Sequence, residues 1–569
     1  MRKNSKIVAG AAVVAALSSL AANSPAFAGT PIHPETRRLL AETGELERAE
    51  AALLSARERG ANAPAERTPF SGGAAARTGP VKLLVILVDF SDEPAAGGTV
   101  AATPADFDLL LGSTGQYPTG SMKDYYDETS YGLADLDVDV AGWYRMPETY
   151  AFYTACNYGF GTYPMNAQRL AEDAVAAADA DVDFADYDND GDGWVDALAI
   201  AHAGPGFEDT GDPCRVWSHA WGFGAQARDG VLLSGYSMEP EESGWGGIVH
   251  IGVFCHEFGH TLGLPDLYPC YNIGDFSVMG GGTWANGGLT PVHFDAWCKI
   301  RLGWVVPENV TSARTAAPLP RVEDSPSVYR LWTGGTVGAE YFLVENRQRV
   351  GFDAFLPGSG LAVYHVFDSN DQCGAPPTIT IEQADGRDDI GSGGPVDAGD
   401  FWAARAGAAF AFETVPSSRR HDGADSKVRV ANVSASGAAM TADFTVNADP
   451  PVSLSHADSA RLGGTTHFLV TGPPGAKFAV FADKAEGTTC RFDYCLGLRG
   501  SRQFRTLADA FDAGDPPLDA NGRRLVPLDL PSSQRFVFRT FFVDAVVDVN
   551  GGTAGGKVVT GPVAATILQ

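Results

Sequence analysis

The sequence predicts an α+β domain, then a β-rich region, then a C-terminal β-sandwich of immunoglobulin-like type. Three observations lead there. Up to about residue 305, helix-length and strand-length segments are mixed along the chain. From there to about residue 447, strand-length runs such as 341–345 and 361–366 are broken by Gly and Pro. Beyond Pro450 and Pro451, alternating runs at 467–470, 478–481 and 535–542 carry few helix signals. The 569 residues give room for about three or four domains. The 67 Gly and 35 Pro favour turns and short strands over long helical bundles.

The N-terminal residues indicate the compartment. Arg2, Lys3 and Lys6 precede an apolar run over 7–20, Pro25 interrupts it, and Ala26, Phe27 and Ala28 offer a small-residue cleavage site. Residues 1–28 therefore read as a secretory signal peptide. No later segment has the roughly 18 apolar residues a membrane span needs, so a secreted, extracellular protein with no membrane span is expected. Removing 1–28 deepens the formal charge from −29 to −32. That acidity excludes a nucleic-acid binder and a protein held on an anionic membrane.

Residues 29–80 read as a pro-segment with a linker. Leu39, Leu46 and Leu53 recur every seven residues, with Leu40 and Leu54 beside them, which predicts a helical stripe. Gly44 weakens it by about 1 kcal/mol. An ordinary N-terminal helix packed on the next domain is the alternative. Residues 60–80, rich in Gly, Ala, Pro and Arg, read as a linker. The next domain, 81–305, should hold a buried strand at 81–90, helices at 121–131 and 165–178, a strand at 197–202 and a helix at 249–262. Residues 306–449 form the β-rich domain and 450–569 the sandwich. The eight cysteines suit an oxidising compartment, and none form a CxxC pair. Cys490 and Cys495 are close enough to clip one loop. The other pairings stay open, and Cys255 is either a buried thiol or half of a bridge.

The chemistry lies in residues 255–266, which contain His-Glu-x-x-His. On a helix, His256 and His260 are four residues apart and project from one face. That spacing lets both imidazoles reach one tetrahedral zinc at about 2.0–2.1 Å. Glu257, beside the first ligand, is placed as general base, taking a proton from the attacking water and passing it to a leaving amine. The next Glu in the chain is Glu308, too far along to complete the site simply. Gly263 and Asp266 instead give the His-x-x-Gly-x-x-Asp continuation, with Asp266 as third ligand. The spacing is that of metzincins, so the first domain is expected to be zincin-like. Met279, in a Gly-rich stretch, fits the Met-turn that floors such a metal.

The segments 83–94, 121–132, 186–204, 253–268, 274–284 and 293–304, then 341–348 and 360–368, occur in an order that resembles the immune inhibitor A-like secreted metallopeptidases. The resemblance implies a secreted zinc endopeptidase made with a pro-segment and acting on protein or peptide substrates. It carries His256, His260 and Asp266 over as zinc ligands and Glu257 as base.

Between Asp179 and Asp196 stand eight Asp and no Lys or Arg. Asp188, Asp190, Asp192, Gly193 and Asp196 fit the spacing of an EF-hand calcium loop, with Trp194 lending a carbonyl. A register starting at Asp186 also fits but puts Gly193 where an apolar residue is expected. Neither register has Glu at position 12. Crowding these carboxylates without a cation is costly, so calcium is expected here. His202, His219, His250 and His293 read as structural, and Tyr268 or Tyr271 is a candidate to stabilise an oxyanion. A second reading is a secreted binding or adhesion protein built on an inactive zinc-peptidase scaffold.

Overall fold

The computed structural model describes residues 28–61 and 78–446, apart from 96–99, 269, 369–371, 393 and 406–407, and then strand segments between 453 and 566. Residues 1–27, which carry most of the expected signal peptide, and most of the expected linker lie outside the described residues. The chain divides into two compact units. One takes the described residues up to Gly112 together with Leu136–Asp266; the other takes Ser113–Asp135 and the chain from Leu267 onward.

The first unit is built on a six-stranded mixed sheet. Its strands are β1 (Ala28–Gly29), β2 (Gly79–Asp89), β3 (Ala134–Arg145), β4 (Leu198–Pro205), β5 (His219–Arg228) and β6 (Val231–Glu242), in the order β1-β5-β6-β4-β2-β3. β2, β4 and β6 run parallel, and β5 is antiparallel to β6. The central strands are apolar on both faces, so Val81 and Leu83 to Val88 are buried without alternation, as parallel strands covered on both sides require. The helix Ala167–Ala178 is capped by Asn166, whose side chain accepts from Arg169 N, and buries Leu170, Ala171, Ala174 and Val175. Cys156 and Cys214 form a disulfide.

One expectation is corrected here. The stripe over 39–54 is not one helix but two, Pro34–Thr43 and Leu46–Ala61. Gly44 ends the first at φ +79°, a left-handed cap that stops the helix rather than merely weakening it. The break rotates the leucines, so Leu40 and Leu53 are buried while Leu39 and Leu54 are exposed.

In the second unit the helix Met122–Ser130 is closed by a capping box between Ser121 and Asp124. The strands from 306 on are β7 (Glu308–Val310), β8 (Arg314–Pro320), β9 (Tyr329–Trp332), β10 (Glu340–Arg347), β11 (Gly360–Phe367), β12 (Ile379–Ile381), β13 (Ala409–Phe410), β14 (Arg429–Ala431) and β15 (Ala439–Thr445). They form sheets ordered β12-β11-β10-β9-β7 and β13-β14-β15-β8. Leu331, Phe342, Val344, Leu361 and Val363 from the first share a core with Leu319, Phe410, Val430, Met440 and Phe444 from the second. Cys270 pairs with Cys373; Cys255 and Cys298 remain thiols, both buried.

The described strands after residue 450 make a three-stranded sheet, a five-stranded sheet and a hairpin. Leu454, Phe468 and Val470 of the first sheet cluster with Phe478 and Val480 of the second. The hairpin register sets Cys490 opposite Cys495. Among the described residues, no helix is long and apolar enough to cross a membrane.

Candidate metal centre

The helix Ile251–Thr261 carries the His-Glu-x-x-His motif and is buried along its whole length. Both imidazoles are buried. His256 Nε2 and His260 Nε2 lie 3.0 Å apart, with the rings near perpendicular at 85°. Gly263 then turns the chain at φ +90°, a conformation that disfavours a side chain, and its N–H donates to His260 O at 2.8 Å. That turn returns Asp266, whose Oδ1 is 3.1 Å from His256 Nε2 and 3.2 Å from His260 Nε2. Three donors thus stand 3.0–3.2 Å from one another. Bonds of about 2.0–2.1 Å to one tetrahedral ion would place donors roughly 3.4 Å apart. The donor set fits zinc in type and in spacing.

The surrounding groups tune the site. His260 Nδ1 lies 2.9 Å from Leu264 O, so Nδ1–H donates there and Nε2 is left as the lone-pair nitrogen. Glu257 is fully buried. Its Oε1 accepts from Thr30 Oγ1; its Oε2 has no hydrogen-bond partner among the described residues and lies 4.0 Å from His260 Nε2. Protein groups alone push the Glu257 carboxyl well above its usual range, burial first, then Glu239, Asp266 and Glu208, against the Thr30 hydroxyl. A dication at the donors would oppose that shift. Burial also acts to raise Asp266, but Arg57, His260 and His256 outweigh it and hold the carboxyl below its usual range.

Two partners of this site carry no signal in the sequence. Arg57, on the second N-terminal helix, forms an ion pair with Asp266 Oδ2. Thr30 follows β1, which pairs antiparallel with the edge of β5 in the register Gly29 opposite His219. Gly29 N lies 3.4 Å from Asp266 Oδ2. Residues 28–57 thus reach Glu257, Asp266 and the sheet edge together.

Met279 is buried in the second unit, where its carbonyl accepts from Leu267 N at 2.8 Å. The remaining histidines lie outside the cluster. His219 bonds Trp217 O and Tyr236 OH, His293 lies 2.8 Å from Glu128 Oε1, and His250 sits at the start of the motif helix. Burial pushes His202 and His219 down to about 4. Tyr271 donates its hydroxyl to Asp388 Oδ1 at 3.0 Å.

The acidic loop gathers Asp188, Asp190 and Asp196, whose nearest oxygens lie within 4.8 Å of one another. Gly191 and Gly193 turn it at φ +74° and +89°. Asp192 is not part of that group and accepts from Trp194 N at 3.1 Å. Asp196 accepts from Asn189 N and Asp190 N on Oδ2, while its buried Oδ1 has no partner among the described residues. Burial, then Asp190 and Asp188, push Asp196 up to about 6.

A helix presenting two histidines and a glutamate, followed by a glycine turn to an aspartate, makes a candidate metal centre on a mixed α/β sheet. Residues 73–304 match the family described as immune inhibitor A peptidase M6, catalytic domain, so the resemblance read from the motifs holds. The chain is similar to the pre-pro-metalloprotease PrtV of Vibrio cholerae serotype O1, 29% identical over 38% of this chain and 29% of the relative. It is also similar to immune inhibitor A of Bacillus thuringiensis subsp. alesti, 33% identical over 31% of this chain and 30% of the relative. The chain thus spans less than a third of the length of either relative. A solved structure of the sporulation control protein Spo0M from Bacillus subtilis overlaps 21% of this chain and 50% of its own, at 11% identity and a TM-score of 0.12, which carries no argument.

Proposed function

We propose that the chain is a secreted zinc-dependent endopeptidase acting on protein or peptide substrates. The observation that carries this is the buried trio His256, His260 and Asp266 with the unpartnered Glu257 Oε2 at 4.0 Å from one of its nitrogens. Zinc held there would supply Lewis acidity toward a water and a scissile carbonyl. The chain's own residues do the rest. The Nδ1–H bond to Leu264 fixes the His260 tautomer. Glu257 Oε2 takes a proton from the attacking water and delivers it to the departing amine nitrogen, so the carboxylate is regenerated. An extended substrate has a ready partner in the edge of β5, the position β1 takes here.

The same reading covers the segments around the site. Residues 1–28 are a signal peptide, and 29–80 a pro-segment with linker. The contacts of Thr30 with Glu257 and of Arg57 with Asp266 support steric cover as the basis of latency. Met279 is assigned to the Met-turn. Calcium fits the acidic loop through Asp188, Asp190 and Asp196, helped by the buried orphan Oδ1 of Asp196. Residues 81–305 are the peptidase domain, 306–449 a β-rich domain, and 450–569 an immunoglobulin-like sandwich.

The test is metal analysis of the purified protein alongside a casein-type assay, with and without chelator. The expected result is about one zinc per peptidase site and chelator-sensitive cleavage, with Glu257→Ala keeping zinc and losing cleavage. Unchanged cleavage by Glu257→Ala overturns the mechanism.

A further inference from the structure

A second set of nitrogen and carboxylate donors converges in the other unit. Glu340 begins β10 and His365 lies near the end of β11, neighbouring strands of one antiparallel sheet. Both side chains are buried. His365 Nε2 is 3.0 Å from Glu340 Oε1, and His365 Nδ1 is 3.4 Å from Oε1 of Glu382, just after β12. His421 arrives from a distant loop and stacks on His365, ring centroids 4.0 Å apart and planes 9° from parallel. Donor atoms of Glu340, His365 and His421 lie within 4.8 Å of one another. Beside them is a cavity of about 430 Å³, with His365, Glu382, His421, Tyr271 and Asp388 on its wall.

An ion pair accounts for only part of this arrangement. One imidazolium between Glu340 and Glu382 would satisfy both carboxylates. A second imidazole stacked face to face on the first cannot also be charged without repulsion, so it brings a lone-pair nitrogen to the Glu340 carboxylate. Arg420 Nε and the His421 backbone N–H already orient the Glu340 carboxylate, at 3.0 and 2.6 Å. Two imidazole nitrogens with one or two carboxylate oxygens are the donor chemistry of zinc and its borderline neighbours. His421 is exposed, so its ring can turn to close the spacing, and the cavity supplies an entry path.

We infer that Glu340, His365 and His421 form a second zinc site that ties β10 and β11 to the loop at His421, with Glu382 orienting the His365 ring from its Nδ1 side. The inference is independent of the peptidase reading, because its test runs in a chain whose first site is disabled. Full-length His260→Ala protein is loaded with zinc chloride, with calcium present to fill the acidic loop, then desalted and its metal counted by plasma mass spectrometry. The expected result is one zinc in His260→Ala and none in His260→Ala with His421→Ala. Equal zinc in the two overturns the site. Thermal melts give a second reading that also checks folding: zinc should raise the Tm of His260→Ala and leave the double variant unmoved. A shift equal in both also overturns it. In the otherwise unchanged chain, His421→Ala should lose one zinc and keep its cleavage rate.

Discussion

The motif helix and the acidic loop gather cation donors in the same unit by opposite means. The helix site is buried, offers two nitrogens and one oxygen, and sets them 3.0–3.2 Å apart. The loop is all oxygen and partly exposed, and its carboxylates are engaged with its own backbone: Asp188 accepts from Asp192 N and Gly193 N, and Asp196 from Asn189 N. A rigid mixed donor set favours a borderline dication and can hold a base at a fixed distance from it. A flexible oxygen set favours a larger hard cation and affects stability more than chemistry. The difference is one of preorganisation, and each part of it can be attacked separately.

The largest effect should come from His260→Ala. It removes one donor and the anchor to Leu264, so zinc content at the helix site and proteolysis should both fall to background, read by metal analysis and a peptide assay. Retention of both would mean the helix donors are not the centre. Glu257→Gln sharpens the contrast between ligand and base. It should keep zinc but cut kcat by roughly 10²–10⁴-fold, the usual range for a positioned general base.

Arg57→Ala tests whether the N-terminal segment covers the site. Losing the ion pair to Asp266 should raise the initial cleavage rate of the unprocessed full-length form by about tenfold, the effect of roughly 1.4 kcal/mol. An unchanged rate in protein shown by mass spectrometry to retain residues 29–61 would count against a latch. The smallest effect belongs to the loop. Withdrawing calcium from a site held at about 100 times its dissociation constant removes about 2.7 kcal/mol. At roughly 2–4 °C per kcal/mol that is about 5–10 °C in Tm. Asp196→Asn should show a smaller response to calcium, measured by scanning calorimetry, and the zinc content of the helix site should not change.

Much of the first unit was legible because its signals are local. The apolar run of β2, the apolar face of the helix ending at Ala178 and the i and i+4 histidines all act over one or two turns of chain. Gly44 was read as a weak point in one helix, whereas its left-handed backbone makes it a boundary between two. Propensity registers the cost of glycine but not the conformation it adopts. Asp192 fits the loop spacing and accepts from Trp194 N, since short Asp side chains bond readily to backbone N–H groups two residues on, while the close oxygens are those of Asp188, Asp190 and Asp196.

What the sequence determined by itself is the donor set and its order: two histidines one turn apart, a glutamate beside the first, a glycine that can take positive φ, and an aspartate three residues beyond it. These follow from helix geometry and from glycine's lack of a side chain. The tertiary structure alone decided what surrounds them. Thr30 meets Glu257 across 227 residues and Arg57 meets Asp266 across 209. Glu340, His365 and His421 meet through strand pairing and a returning loop. Such contacts arise when sheets form and loops close, and no periodicity in the chain encodes them.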